Sequence, residues 1–235
     1  REFPDYSVRR AFTSQIIINH ILARDGEKID NVEQALERAK KNGVKELIVQ
    51  PTHLMQGKEY DELKATLDQH RADFTKVALA EPLLGEVGKT AEDVNADKEK
   101  VATLLVQAAV ADSGFDSVQK VGQDRAAFVF LGHGTSHTAA ITYSEMQTAM
   151  RKLGFNNVFI GTVEGEPEET AVDAVIAAVK KAGFKRVTIR PMMVVAGDHA
   201  HNDMAGAEDD SWVQKFVASK NFDRVETQIL GMGGI

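Results

Sequence analysis

The chain contains no cysteine among its 235 residues. This absence excludes disulfide bonds, thiolate metal sites and a cysteine nucleophile. Any metal ion bound by side chains must therefore be held by nitrogen and oxygen atoms. The absence does not fix the cellular compartment, because a cysteine-free protein survives in reducing and oxidising surroundings alike.

Long apolar runs are also missing. None approaches the ~20 residues that a helix needs to cross a bilayer. The N-terminal REFPDYSVRR has neither the basic start nor the apolar core of a signal peptide. We therefore expect a soluble protein with no membrane partner and a cytoplasmic location. A periplasmic location is the alternative, if a signal peptide stood ahead of this N-terminus.

Positive charge is scarce relative to negative charge. The chain has 28 Lys and Arg against 35 Asp and Glu, a formal net charge of −7. Nonspecific nucleic-acid binding needs a basic surface, so the composition argues against a nucleic-acid partner. A hydrophobic content of 43% is that of an ordinary globular protein, and this length can bury one large core or two lobes.

Apolar, β-branched runs alternate with segments of helical period, and Gly or Pro occupies the turns between them. This alternation predicts an α/β fold with parallel sheets flanked by helices. The predicted strands are Glu46–Gln50, Lys76–Leu79, Ala126–Leu131, Asn157–Gly161, Arg186–Val195 and Arg224–Leu230. The predicted helices are Thr13–Arg24, Asn31–Asn42, Lys58–Phe74, Ala91–Ser113, Thr138–Leu153, Glu168–Ala182 and Asn202–Ser219.

A short internal repeat indicates two similar Rossmann-like lobes. NGVKELIVQPTHLMQGKEY (42–60) aligns without a gap to AGFKRVTIRPMMVVAGDHA (182–200) and shares its glycines, one lysine and its proline. Two unrelated αβ units with common turn residues are the alternative explanation. With lobes at 1–118 and 119–235, a ligand is expected in the cleft between them, at the strand C-termini. The first lobe lacks a leading strand and helix and the second a closing helix, so we expect a longer natural protein.

Histidines cluster at two predicted strand ends. His133 lies in LGHGTSH, between glycines that permit a sharp turn and the close approach of a ligand. His199 lies in VVAGDHAHNDM, where it shares a face with Asp203 if the segment is helical and with His201 if it is extended. Either arrangement can bind a divalent transition metal. A glycine turn and a helix start that merely contain histidines are the alternative interpretation.

A third loop, TVEGEP, follows the predicted strand that lies between the two histidine-bearing strands in sequence. It offers Glu164, so that two imidazoles and one carboxylate could converge on one divalent ion with open positions. The loop could equally be an acidic helix start, with Pro167 in the first turn. That explanation is weaker for Glu164 than for the glutamates that follow it.

The segments RAFTSQIII, ARDG, GKEYDEL, LGHGTSH, VEGEP, VVAGDHAHNDMAG and DSW closely resemble, nearly end to end, the anaerobic sirohydrochlorin cobaltochelatases of cobalamin biosynthesis, relatives of the class II ferrochelatases. GDHAHNDM is quite specific to that group, whereas LGHG alone is not. The resemblance implies the class II chelatase fold and ATP-independent insertion of cobalt(II) into sirohydrochlorin, a tetrapyrrole. Nickel(II) and iron(II) are the alternative metals. Some exported members bind haem as oligomers, so haem and a homo-oligomer are further expectations.

By matching motifs, the resemblance assigns His133 and His199 as the catalytic pair and Glu164 as the third metal ligand. A neutral imidazole, with an unperturbed pKa of ~6.5, can both ligate the ion and accept a pyrrole proton. Further substrate contacts are expected from the opposite lobe and from basic residues that meet the substrate's carboxylates. These candidates are His53, Glu59, Lys58, Arg10 and Arg190.

Two other functions fit the same residues. A non-catalytic metal or tetrapyrrole carrier would use the same ligands, and turnover distinguishes it from an enzyme. The string from His199 to Asp203 also matches the His-x-His-x-Asp of metallo-β-lactamase-like hydrolases. Met204 stands where those hydrolases have their next histidine, and the expected strand pattern is missing ahead of it.

Overall fold

The computed structural model describes residues 3–234, which form eight α-helices and six β-strands. The chain divides into two compact units. The first comprises Arg1–Pro51 and Lys58–Glu81, and the second comprises Thr52–Gly57 and Pro82–Ile235. No helix within residues 3–234 is both long enough and apolar enough to span a membrane.

The first unit is built on two parallel strands. Its elements are α1 (Gln15–Asp25), α2 (Val32–Lys41), β1 (Glu46–Val49), α3 (Lys58–His70) and β2 (Lys76–Leu79). Leu36 of α2, Leu67 of α3 and Phe74 form its buried centre, against which alternate residues of both strands pack, namely Leu47, Val49, Val77 and Leu79.

The second unit is a four-stranded parallel sheet with helices on both faces. Its strand order is β4-β3-β5-β6. The elements are α4 (Ala96–Asp112), α5 (Val118–Gln123), β3 (Ala126–Gly132), α6 (Ile141–Lys152), β4 (Val158–Thr162), α7 (Val172–Lys181), β5 (Arg186–Pro191), α8 (Trp212–Ala218) and β6 (Arg224–Thr227). The predicted α/β class with parallel sheets is confirmed.

The central strand β3 is buried along its whole length, which explains its unbroken apolar sequence. Alternate side chains enter two different cores. Phe128 and Phe130 pack with α4, α5 and α6 on one face, whereas Val129 and Leu131 pack with α7 and α8 on the other. The sheet is therefore fixed from both sides, and its carboxyl edge is a rigid base for the loops that follow.

The two units do not divide where the sequence predicted. Helix α4 lies before the expected boundary between residues 118 and 119, yet its apolar residues Val101 and Leu105 share one core with Phe128 and Phe130. The second unit therefore includes α4, and the continuous division falls at Glu81 and Pro82. The sequence of a helix does not show which sheet the helix packs against.

The repeated segments occupy equivalent places in the two units. Gly43 follows α2 and Gly183 follows α7, with positive φ angles of 74° and 84°. Both glycines close a helix immediately before a strand, as left-handed C-terminal residues do. The repeat therefore corresponds to the same helix–strand unit in each half.

Some predicted elements differ from those of the structure. The strand predicted to reach Val195 stops at Pro191, because its neighbour β3 ends at Gly132 and offers few further partners. The helix predicted over Asn202–Ser219 is divided into a π-helical turn, Ala200–Met204, and α8. A new helix begins there because the Ser211 side chain caps α8 by accepting a hydrogen bond from the Gln214 N–H.

Candidate metal centre

Three loops emerge from the same edge of the second unit's sheet. Strands β4, β3 and β5 are adjacent and parallel, so their carboxyl ends lie together. His133 follows β3 directly, and its carbonyl accepts a hydrogen bond from the Glu164 N–H at 3.0 Å, beyond the end of β4. His199 comes from the longer loop after β5. The three loops therefore start from one edge of the sheet, and their convergence on one metal ion stays a prediction.

The imidazoles of His133 and His199 are in direct contact. Their Nε2 atoms lie 3.0 Å apart, and the rings meet edge-on with centroids 4.2 Å apart. The two side chains are 44% and 51% exposed, so an ion can reach them from solvent. With metal–nitrogen bonds of ~2.1 Å, this separation subtends an angle of about 90° at a shared ion, which suits neighbouring positions of an octahedron.

The other nitrogen of each ring faces oxygen acceptors. His133 Nδ1 lies 3.1 Å from the Gly134 carbonyl oxygen and 3.3 Å from Glu164 Oε1, while His199 Nδ1 lies 2.5 Å from Asp203 Oδ2. These contacts favour the neutral tautomer with its hydrogen on Nδ1, which has a lone pair on Nε2. Two lone pairs at this distance repel unless a cation lies between them. The contact is thus a place for either a shared proton or a metal ion.

Glu164 lies on the other side of His133 from His199. Its carboxylate approaches Nδ1 of His133, whereas His199 meets Nε2 of the same ring. In the part of the chain that the structure describes, no group of three or more His, Asp or Glu side chains is arranged as a metal site. The three-ligand set with His133 and His199 therefore stays a prediction. It requires the Glu164 side chain, which is 46% exposed, to turn toward Nε2.

The sequence left open whether the segment around His199 is helical or extended. In the structure it is helical. His199 and Asp203 share a face of the π-helical turn and are hydrogen-bonded to each other. Asp203 thus orients the ring as a hydrogen-bond acceptor, the usual partner of a metal-binding histidine. His201 points elsewhere, because its Nδ1 lies 2.9 Å from the Gly197 carbonyl oxygen of its own loop.

The predicted substrate residues fall in both units. His53, expected on the lobe opposite the histidine pair, belongs to the second unit, where its carbonyl accepts from the Leu83 N–H at 3.1 Å. Lys58 and Glu59 begin α3 of the first unit. The Lys58 side chain is 77% exposed and has only a loose 3.8 Å contact with Glu62. Its charge is therefore available to an anionic ligand.

Two arginines were expected to meet substrate carboxylates. Arg10 is exposed in the first unit and forms an ion pair with Glu27. Arg190, in contrast, is only 1% exposed. Its guanidinium donates to Asp112 at 2.9 Å and to the Gln228 side chain, so its charge is neutralised inside the fold. Arg190 is buried because its side chain lies on a buried face of β5. It is therefore not an anion-binding group of the surface.

Sequence reasoning did not single out Tyr143, although its hydroxyl accepts a hydrogen bond from the Gly134 N–H at 3.1 Å. The only local signal was Gly132, which leaves room for the tyrosine ring. A side chain there would lie 2.2 Å from Tyr143 Cε1. Without the fold, nothing in the sequence connects that glycine with a tyrosine eleven positions later.

The chain is similar along most of its length to known chelatases. The family model described as cobalt chelatase (CbiK) matches residues 1–235. The sirohydrochlorin cobaltochelatase of Salmonella typhimurium is 33% identical over 216 residues, covering 92% of this chain and 74% of that protein. The sirohydrochlorin cobaltochelatase CbiKC of Nitratidesulfovibrio vulgaris is 32% identical over 217 residues, covering 92% of this chain and 70% of that protein.

Among solved structures, SirB from Bacillus subtilis with Fe3+ has a TM-score of 0.54 at 15% sequence identity, and the match covers 91% of this chain and 79% of SirB. At this identity the likeness concerns the fold alone. The family match spans the chain, and both curated relatives exceed 30% identity over most of their length. The chain belongs to the cobalt chelatase (CbiK) family.

Proposed function

We propose that this protein inserts cobalt(II) into sirohydrochlorin, as a metal chelatase of the cobalamin pathway that does not use ATP. The observation that carries the proposal is the His133–His199 contact, with Nε2 atoms 3.0 Å apart, in a chain of the cobalt chelatase family. The named relatives act on sirohydrochlorin by their description. Cobalt is a substrate in this reaction and not a resident cofactor.

The histidine pair suits the exchange that insertion requires. One cobalt(II) ion enters the macrocycle and two pyrrole protons leave it, so charge is conserved. Held by the two Nε2 atoms, the ion passes to the pyrrole nitrogens as they lose their protons. One released proton can then take the ion's place between His133 and His199. Glu164, 3.3 Å from His133 Nδ1, is placed to accept the second or pass it to solvent.

No phosphoryl transfer enters this scheme, because the macrocycle's four nitrogens replace the weaker ligands of the protein. Nickel(II) and iron(II) suit the same nitrogen and oxygen ligands, so cellular supply is expected to decide the metal.

Haem binding, a homo-oligomer, a cytoplasmic location and the absence of nucleic-acid or membrane partners stay predictions. Absorbance spectra, light scattering and cell fractionation test the first three.

The decisive test compares two histidines of one loop. His199→Ala should abolish cobalt insertion, seen as the visible absorption change of sirohydrochlorin against the spontaneous rate, while tetrapyrrole binding persists. His201→Ala should lose much less activity, since that ring faces its own loop backbone. Equal losses would favour a clamp made by both histidines. No loss in either variant would contradict the enzyme proposal and favour a carrier.

The position of the ion can be tested separately. Cobalt soaked into crystals and located by anomalous scattering should lie ~2.0–2.2 Å from Nε2 of both His133 and His199. Glu164 should turn toward it. An ion bound elsewhere, with the two Nε2 atoms still in contact, would contradict the assignment of the site.

A further inference from the structure

The loop that carries His133 rests on one buried hydroxyl group. Tyr143 lies in the first turn of α6 and is 2% exposed. Its hydroxyl oxygen accepts a hydrogen bond from the Gly134 N–H at 3.1 Å. The backbone donor directly after His133 is therefore fixed to a buried oxygen of α6.

A backbone group of His133 itself is also fixed. Its carbonyl oxygen accepts from the Glu164 N–H at 3.0 Å. The peptide unit that joins His133 to Gly134 is thus held at its N–H by α6 and at its carbonyl by the loop after β4. Fixing this peptide unit restricts the directions that the imidazole can take, because the side-chain torsions start from a fixed backbone.

The two glycines beside His133 make this arrangement sterically feasible. A side chain at Gly132 would lie 2.2 Å from the Tyr143 ring, so the glycine is what lets the ring pack against the strand end. Gly134 has a φ of 92°, and a side chain there would lie 2.9 Å from Cβ of Glu164. In the Gly-His-Gly sequence, the first glycine therefore makes room for Tyr143 and the second makes room for Glu164.

We infer that Tyr143 is a positioning residue for cobalt insertion, which holds the His133 loop so that its Nε2 meets that of His199. The inference rests on the proposed function of the histidine pair. Tyr143 does not touch the ion or the macrocycle in this role. It acts through the Gly134 N–H, and the hydroxyl is the one part of the side chain that a phenylalanine lacks.

The tyrosine stays a neutral hydrogen-bonding group in this position. Burial raises the pKa of the phenol, the hydrogen bond from the Gly134 N–H opposes that rise, and the charge of Glu164 adds to it. The hydroxyl therefore keeps its proton at any pH at which the enzyme would be assayed, and its acceptor role does not vary with pH.

Tyr143→Phe tests the inference, because it keeps the ring packing and removes only the acceptor. Cobalt affinity, followed by the visible spectrum of bound cobalt(II), should fall about 10- to 100-fold, the range for residues that orient metal ligands. The kcat for insertion should fall similarly, with the KM for sirohydrochlorin within about twofold of the original value, because the macrocycle's own contacts are unchanged.

Ser144→Ala is the matched control. Ser144 is the next residue of α6, 9% exposed, and its hydroxyl donates to Glu169 at 2.5 Å rather than to the loop. It should lose comparable stability without changing cobalt affinity or kcat. Equal effects of both variants would overturn the positioning role, as would a Tyr143→Phe protein with unchanged cobalt spectrum, affinity and rate.

The two proposals fail separately. If the protein shows no insertion activity but Tyr143→Phe still weakens cobalt binding, the positioning role stands and the proposed reaction does not. If Tyr143→Phe fails to fold, hydrogen exchange of the unaltered protein decides. The amide of Gly134 should exchange as slowly as those of β3, and fast exchange there would overturn the inference.

Discussion

Asp203 accepts a hydrogen bond from Nδ1 of His199 at 2.5 Å, one turn along the same loop. This contact keeps the hydrogen on Nδ1 and leaves Nε2 of His199 as the atom that faces His133. The carboxylate therefore sets both the orientation of the ring and the nitrogen that is offered to a metal. Partners of this kind commonly affect metal affinity as strongly as some direct ligands do.

Asp203→Asn should weaken cobalt binding about 10- to 100-fold, because the amide is uncharged and can present its NH2 group instead of an acceptor. Titration calorimetry with cobalt(II) measures the change. Asp198→Asn is the control, since Asp198 is an exposed carboxylate of the same loop. If both variants bind cobalt equally well, Asp203 does not orient the ligand.

The first unit should be more stable in mild acid than in alkali, by an amount that depends on His70. The pKa of His70 is raised, chiefly by its 2.8 Å hydrogen bond to Glu33 and further by Asp73, against an opposing effect of burial. Its stabilisation is therefore complete below the unfolded pKa of ~6.5 and is lost as pH rises through the higher folded value.

His70→Gln removes that charge at every pH. We expect a loss on the order of 1 kcal/mol at pH 5.5 that shrinks toward pH 9, a modest figure because the Glu33 side chain is 50% exposed. Urea unfolding of both proteins, followed by circular dichroism, gives the difference. His20→Gln, at an exposed position of α1, should show no such trend. A loss that does not vary with pH would refute the linkage.

A buried ion pair joins α4 to α6. Lys98 Nζ lies 3.0 Å from Glu145 Oε2, and both side chains are 0% exposed. The lysine also donates to the carbonyls of Leu84 and Glu86, and Oε1 of the glutamate accepts from the Gly88 N–H at 2.6 Å. The pair thereby fixes the segment that leads into α4.

Glu145→Gln should cost about 3–5 kcal/mol, because it leaves the lysine charge buried without a partner. The double variant Lys98→Met with Glu145→Met should recover only part of that loss. It removes both charges but leaves the backbone groups of the 84–88 segment without their side-chain partners. Chemical unfolding measures both. Full recovery in the double variant would show that those backbone contacts contribute little.

Two basic residues predicted to bind substrate should respond differently to substitution. Lys58→Glu should raise the KM for sirohydrochlorin several-fold at low salt with little change in stability, since this lysine is exposed. Arg190→Met should lower the unfolding temperature with little change in KM, because that arginine is buried against Asp112. A raised KM in a stable Arg190 variant would restore its predicted contact with the substrate.

Local patterns in the sequence determined most of the elements. Alternating apolar runs identified β3 and the helices around it, and the helix-ending glycines at 43 and 183 marked the repeated unit. The loops with His133, Glu164 and His199 followed from strand ends, because parallel strands present their carboxyl ends at one edge. The characteristic string GDHAHNDM indicated the family.

Tertiary packing alone decided which atoms meet. The sequence could not state that His133 and His199 touch through Nε2, that Asp203 holds one ring, or that Tyr143 lies beneath the other loop. It also could not show that Arg190 is neutralised inside the fold or that α4 joins the second core. Periodicity reports which face of an element is apolar, whereas contact between residues far apart in sequence depends on the packing of whole elements against each other.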